Sequence, residues 1–398
     1  MWHLALCALR RFCPTRPELA GLVACALTFA AWNAAATQTL TPAVPLFFLV
    51  LGWVSVLVGR SAVRIAGVDG RDDFPTAFLF GFLLLNSALL VLAWISVFSI
   101  ITNAVILLAC ALALQAVGPP RPAERGLRLA MPGLLAVILS LAAATLWSQD
   151  SITAQSIFPD GVVLRPWVDS LFHARQVQVF RDSPGPVVMD DPRMAGQPMW
   201  FYHHGSYMTT ALLARMTGTP TFLAYTSFQV PFGVVLSGLA AYALICSLWG
   251  DRAGVAAAAV LLLLPDASWH GFANPCLGYA WLQQIAPAGQ YAVAILAVAW
   301  ILMFEGCRTG RLSLVALAFL ATGLALHYKA HLFVAAALVI WVYPALFLTR
   351  FRWRWNLRSA HLWFIISEFP AACNFSDRRP SPCQAGSESG VATWRARS

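Results

Sequence analysis

Long uninterrupted apolar blocks are the feature that most constrains what this chain can fold into. A helix that crosses a bilayer needs about 20 mostly apolar residues, and the sequence contains a series of blocks near that length, of which the seventh is short. They run over 18–36, 43–59, 77–97, 100–118, 129–147, 222–248, 254–266, 288–306, 312–328 and 331–349. Because the blocks lack the two-residue alternation of a barrel wall, they predict membrane-spanning helices.

Composition excludes the soluble alternative. Apolar residues make up 59% of the chain and charged residues 11%, against about 45–50% and about 25% in soluble domains. We therefore expect an all-α integral membrane protein with about ten transmembrane helices. The net charge of +9 lies in short clusters between apolar blocks, so it does not indicate a nucleic-acid partner.

The positions of the basic residues orient the predicted helices. Loops on the cytoplasmic side of a membrane carry an excess of Lys and Arg. With a cytoplasmic N-terminus, the short outer loops carry only Lys329, and the inner segments hold the arginine clusters at 10–16, 60–71, 121–128, 308–311 and 350–358. This pattern predicts a multi-pass protein of the cytoplasmic membrane with both termini inside.

Three regions follow from this layout. Residues 1–128 are predicted to form N-terminal membrane helices, and 129–349 a membrane core. The core includes one large outer loop, 148–221, and loops of that length are usually functional or disordered. Residues 350–398 combine a basic segment with a tail rich in Ser, Pro and Arg, which we expect to be cytoplasmic and disordered.

The outer loop contains a candidate amphipathic helix at 167–181. At about 100° per residue, Leu171, Phe172 and Val179 share an apolar stripe, while Asp169 and His173 lie one turn apart on the adjoining face. This predicts a surface helix that presents a carboxylate and an imidazole. The pair is equally compatible with a helix-stabilising contact between positions i and i+4.

Other polar residues on the same side extend the candidate site. His203 and His204 follow the aromatic residues Trp200 and Tyr202, as in a rim that binds a sugar or a lipid headgroup, although aromatic residues are common at any membrane interface. Lys329 between two helices suits a lipid phosphate, or its side chain reaches the interface merely as snorkelling lysines do.

Metal binding has only weak candidates in the sequence. The adjacent carboxylates of Asp190 and Asp191 could hold a divalent metal, but such a pair before Pro192 is also typical of a solvated turn. None of the nine cysteines forms a CxxC pair, which argues against a zinc or redox motif.

The order of these features resembles membrane glycosyltransferases of the GT-C superfamily. The matching segments are VDSLFHARQVQVF (168–180), FYHHGSYMTTALLARMTGTP (201–220) and the short turn LWGDRAG (248–254), and the resemblance covers about 129–349. The chain departs from simpler members in having four helices before the loop-bearing one. It also has a lone Asp169 with His173 instead of an adjacent acidic pair.

The resemblance implies transfer of a sugar from a polyprenyl-phosphate donor to the hydroxyl of a glycan or lipid acceptor at the outer face of the membrane. Asp169 would be the general base, assisted by His173. His203, His204, Tyr202, Trp200 and Lys329 would bind substrate. The expected partners are the lipid-linked donor, the acceptor and membrane lipids, with no certain cofactor and a divalent metal compatible with the chemistry.

Two other readings stay open from the sequence. A transporter or lipid-handling protein would place ionisable groups near the bilayer midplane, where this sequence has almost none. A truncated, inactive copy of an enzyme would also carry these motifs.

Overall fold

The computed structural model describes most of the region predicted to be membrane-embedded. The described residues are 13–67, 73–96, 98–117, 127–153, 156–158, 161–164, 169–183, 190–191, 194–198, 203–263 and 287–348. The predicted tail at 350–398 lies outside them.

Within these residues the chain is mainly helical, and every apolar block predicted from the sequence contains a helix. The bounds are α1 Arg16–Thr37, α2 Ala43–Ala66, α3 Phe74–Ile95, α4 Ile100–Val117, α5 Leu127–Trp147, α6 Gln149–Ile152, α7 Ser170–Asp182, α8 Met208–Thr217, α9 Thr221–Trp249, α10 Asp251–Leu263, α11 Pro287–Thr309, α12 Leu312–Ala325 and α13 Ala330–Phe347. Helix α9 contains a wider, π-helical turn at Tyr225–Gln229.

Six of the described helices are long and apolar enough to cross a membrane, namely α1, α2, α3, α9, α11 and α13. This supports a multi-pass membrane protein. Shorter apolar helices occur in α4, α5 and α12, and α10 has 13 residues, so the spans predicted there remain predictions.

Helix α9 lies at the centre of the bundle. It packs against α3, α5, α10 and α11, and Phe232 on its inner face contacts Phe82 of α3 and Phe29 of α1, with ring centroids 4.6 Å and 5.4 Å away. This core holds α1, α3 and α9 together.

Helices α2 and α3 approach each other so closely that their backbones touch. A Cβ atom at Gly59 would clash with the carbonyl of Ala77, and one at Gly81 with the carbonyl of Ser55. Small residues permit such close approach between membrane helices. The two glycines therefore join α2 and α3 into a tight pair.

Helix α2 extends beyond the predicted span at 43–59 and ends at Ala66. It therefore includes Arg60, although a charge inside a membrane helix is costly. In the structure Arg60 forms a buried ion pair with Glu18 in the first turn of α1. The charge is neutralised inside the protein, and the helix continues past it.

The segment between α5 and α9 is more varied than the predicted loop with amphipathic helices. Besides α7 and α8 it contains two short antiparallel strand pairs. The strands are β1 Ser156–Phe158, β2 Gly161–Val163, β3 Asp190–Asp191 and β4 Met194–Pro198.

Candidate functional site

Helix α7 forms as predicted, but it buries a different face. Its buried residues include His173, Ala174, Val177 and Phe180, whereas Leu171 of the predicted apolar stripe is exposed. Helix α7 packs against α8 and the π-helical turn of α9, so the imidazole points into the protein. The expectation of a surface helix that presents both Asp169 and His173 outward is therefore wrong for His173.

The buried His173 has defined partners. Its Nδ1 lies 2.6 Å from the hydroxyl oxygen of Tyr207, and its ring stacks on Tyr225 at a centroid distance of 5.6 Å and an angle of 17°. Tyr225 begins the π-helical turn, a feature often found at functional sites. These contacts fix the orientation of the imidazole.

Asp169 remains exposed at the start of α7. Its backbone oxygen accepts the amide hydrogen bond of His173 at 3.0 Å, and Asp169 acts electrostatically on both His173 and Lys329. The carboxylate thus lies at the open edge of the cluster that His173 and Lys329 form.

The two histidines at 203 and 204 are in different environments. His204 opens a short 3₁₀-helix, His204–Tyr207, and is buried between the indole of Trp94 and the ring of Phe180, at centroid distances of 5.7 Å and 5.3 Å. His203 is half-buried and acts electrostatically on His173. His203 is therefore the more accessible of the two imidazoles.

Lys329 reaches the same cluster from a distant part of the sequence. It precedes α13 and is half-buried. A backbone hydrogen bond from Gly205 N to His327 O, at 2.9 Å, joins the two segments. Lys329 then acts electrostatically on both His173 and His203.

Burial governs the protonation of this cluster. The pKa of His173, His203 and His204 is lowered from 6.5 to about 4, mainly by burial and, for the first two, also by the nearby Lys329. Burial also lowers the pKa of Lys329, an effect that Asp169 opposes. At neutral pH the three imidazoles are hence uncharged hydrogen-bonding groups.

Asn86, in the C-terminal half of α3, anchors the segment that carries the histidines. Its Nδ2 donates to Gly205 O at 2.6 Å and to the hydroxyl of Tyr328 at 2.8 Å. Its Oδ1 accepts from the amide and the hydroxyl of Thr209 at 3.2 Å and 2.6 Å. All four hydrogen-bonding positions of the amide are used, and sequence analysis did not identify this residue.

Sequence analysis also missed two neighbouring residues in the first turn of α11. Gln290 and Tyr291 are buried, and their side-chain polar atoms have no hydrogen-bond partner in the described part of the chain. Both stand inside an apolar block, where an amide or a phenol does not interrupt the pattern. Their burial is visible only once α9 and α11 are placed together.

The remaining predicted residues are less informative. Tyr202 and Trp200 lie outside the described residues. The backbones of Asp190 and Asp191 form β3, which pairs with β4, and their metal-binding role stays a prediction.

A second polar cluster lies at the other end of α3. Asp73, Cys246 and Asp251 bring one potential ligand atom each within 4.8 Å of one another. Tyr242 donates to Asp73 at 3.0 Å, and the Cys246 thiol donates to Asp251 at 3.2 Å. These hydrogen bonds account for the cluster without a metal ion. Asp73 precedes Asn86 by 13 residues along α3, which corresponds to about 20 Å at 1.5 Å per residue. The cluster is therefore a separate site.

Comparison with protein families, curated proteins and solved structures found nothing that matches this chain.

Proposed function

We propose that this chain is a membrane glycosyltransferase of the GT-C kind. In this proposal it transfers a sugar from a polyprenyl-phosphate donor to an acceptor hydroxyl at the outer face of the cytoplasmic membrane. The observation that carries the proposal is the meeting of Asp169, His173 and Lys329. A carboxylate and an imidazole from α7 gather with a lysine from the distant segment before α13.

The roles follow from charge and exposure. Asp169 is exposed and accepts the proton of the acceptor hydroxyl while the acceptor oxygen attacks the anomeric carbon. The bond between that carbon and the phosphate oxygen breaks, and the polyprenyl phosphate leaves. Because phosphate is already a good leaving group, the step needs no carboxylic acid to protonate it, unlike glycoside hydrolysis.

The departing phosphate gains negative charge, which preorganised cations and hydrogen-bond donors stabilise. Lys329 supplies the charge, and His203 lies beside it with its ring hydrogen-bonded to the backbone of Leu326. His173, held by Tyr207, orients the groups around Asp169. No step of the proposal requires a metal ion.

The distribution of polar groups favours this function over transport. The described ion pairs lie near helix ends or at the surface, as Arg60–Glu18, Arg181–Asp182 and Arg308–Glu305 do. The candidate reactive cluster is at the outer end of the bundle. A transporter is expected to hold its ionisable groups near the midplane along a pathway.

The test is Asp169→Asn in purified protein supplied with a lipid-linked sugar donor. Loss of a general base typically costs about 10²–10⁴-fold in rate, and we expect that loss in sugar transfer with donor binding retained. Asp182→Asn is the matched control, because Asp182 ends the same helix and pairs with Arg181 instead.

Undiminished transfer by Asp169→Asn at normal expression would refute the proposed base. Movement of labelled donor that requires sealed vesicles, without transfer in detergent, would favour transport instead.

A further inference from the structure

Gln290 and Tyr291 hold buried polar atoms that nothing in the described part of the chain satisfies. Both polar atoms of the Gln290 side chain and the hydroxyl of Tyr291 lack a hydrogen-bond partner there. Their side chains are 2% and 0% exposed, respectively. Buried polar groups are nearly always hydrogen-bonded, so exceptions call for an explanation, and the cost of leaving them unpaired is high inside a membrane bundle.

Helix α9 adds a third such group to the same place. Gln290 packs against the backbone of α9 at Gly233, where a Cβ atom would collide with its Oε1. One turn earlier, Gln229 donates from Nε2 to Ser206 at 3.1 Å, but its Oε1 has no partner within the described residues. The amides of Gln229 and Gln290 therefore face the same interface between α9 and α11.

This interface adjoins the candidate phosphate site. The ring of Tyr291 stacks on that of Tyr328, with centroids 6.4 Å apart and an angle of 16°. Tyr328 immediately precedes Lys329 in the sequence. In the proposal, the phosphate of the donor contacts Lys329 and its sugar lies on the side of Tyr291.

We propose that Gln229, Gln290 and Tyr291 form a sugar subsite that hydrogen-bonds the ring hydroxyls of the lipid-linked donor. The inference rests on the proposed glycosyltransferase function. Carboxamides and phenols both donate and accept hydrogen bonds, as sugar hydroxyls do. Such groups, unpaired in the protein alone, reject a ligand that lacks the matching hydroxyls.

The test compares binding of two kinds of probe to the purified protein in detergent. One is farnesyl phosphate, which has no sugar, and the other is a farnesyl-phosphoryl sugar, supplied as a hexose and as a pentose. The variants are Gln290→Leu and Tyr291→Phe, the second of which removes one oxygen atom and preserves the ring. Gln115→Leu is the control, because this buried amide already bonds Leu57 O and Ser61 Oγ, both at 2.5 Å.

We expect Gln290→Leu and Tyr291→Phe to weaken binding of the sugar-bearing probe about tenfold or more, since each leaves a ligand hydroxyl unpaired. Binding of farnesyl phosphate should not change. Thermal unfolding adds a second readout. Gln290→Leu should not lower the unfolding midpoint of the ligand-free protein, because no bond is lost, whereas Gln115→Leu should lower it without changing the preference for the sugar-bearing probe.

The subsite proposal would be overturned if both variants bound the two probes equally weakly relative to wild type. It would also be overturned if their affinity for the sugar-bearing probe did not change. A wild-type protein that binds no sugar-bearing probe better than farnesyl phosphate would overturn it as well. Failure of the proposed glycosyltransferase function would give a different result. Binding would still depend on the sugar and on Gln290, but the protein would transfer no sugar.

Discussion

Replacement of Asn86 by leucine tests how the candidate site is fixed to the membrane bundle. The side chain is 1% exposed and makes four hydrogen bonds to three residues outside its own helix, Gly205, Thr209 and Tyr328. Leucine keeps the approximate size and removes all four. Only the Tyr328 hydroxyl retains another described partner, Ser87, at 2.9 Å.

The magnitude follows from the number of bonds. Each contributes about 0.5–1.5 kcal/mol in soluble proteins and about 0.6 kcal/mol on average between membrane helices. Four such bonds correspond to a loss of about 2–6 kcal/mol in the free energy of unfolding.

Asn103→Leu is the matched control. Asn103 is equally buried, but it accepts one bond from Ser96 at 2.8 Å and donates a longer one to Phe98 O at 3.4 Å, both near it in sequence. We expect Asn103→Leu to cost half as much or less.

The assay is unfolding in detergent, by heat and by titration with a denaturing detergent, combined with hydrogen exchange at the Thr209 amide. Since that amide donates to Asn86, its exchange should accelerate in Asn86→Leu and stay slow in Asn103→Leu. Equal costs for the two variants, with Thr209 exchange unchanged, would refute the assigned role of Asn86.

Two further predictions concern protonation and helix contact. Burial lowers the pKa of His173 and His204 from 6.5 to about 4, so their contribution to stability is complete above pH 6.5 and is lost as the pH falls toward 4. A shift of this size corresponds to about 3 kcal/mol for each group. The unfolding midpoint should fall between pH 7 and pH 5, less steeply in His173→Asn, and a pH-independent midpoint would contradict the assignment. Gly81→Val should separate α2 from α3, because its Cβ would meet the Ser55 carbonyl. Overpacking of this kind costs about 1–3 kcal/mol, occasionally more, so the yield of folded protein should fall. Val at the open position Gly323 is the control, and an equal yield from both variants would contradict the close approach.

Most of the helices were predictable, because the prediction depends only on the length of the apolar blocks in the sequence. Each predicted block contains a helix, from α1 to α13, although the bounds differ where a charge is involved. The sequence does not show that α2 continues past Arg60, because the partner of this residue, Glu18, comes from another helix. The ends of membrane helices are therefore set by tertiary pairing as well as by hydropathy.

Sequence analysis identified only the ionisable residues of the candidate site. Asp169, His173, His203 and Lys329 stand out as ionisable residues flanking apolar blocks, and the structure brings them into electrostatic contact. Asn86, Gln290 and Tyr291 are neutral residues inside such blocks, so their polarity does not interrupt the pattern. The orientation of His173 was missed for a related reason, because hydrophobicity favoured the face of Leu171 while Tyr207 and Tyr225 held the imidazole inside.

The wide turn at Tyr225–Gln229 has a consequence for how this site is encoded. It amounts to one inserted residue in a helix of 29 residues, and its deletion would leave a helix still long enough to cross the bilayer. Every side chain before the deletion, however, would rotate by about 100° relative to those after it. Tyr225 would leave His173 while Gln229 kept its place beside Ser206. The alignment of the imidazole with the rest of the cluster thus depends on the number of residues in one helical turn. Deletion of a single residue from that turn would disrupt the alignment without changing any side chain in the cluster.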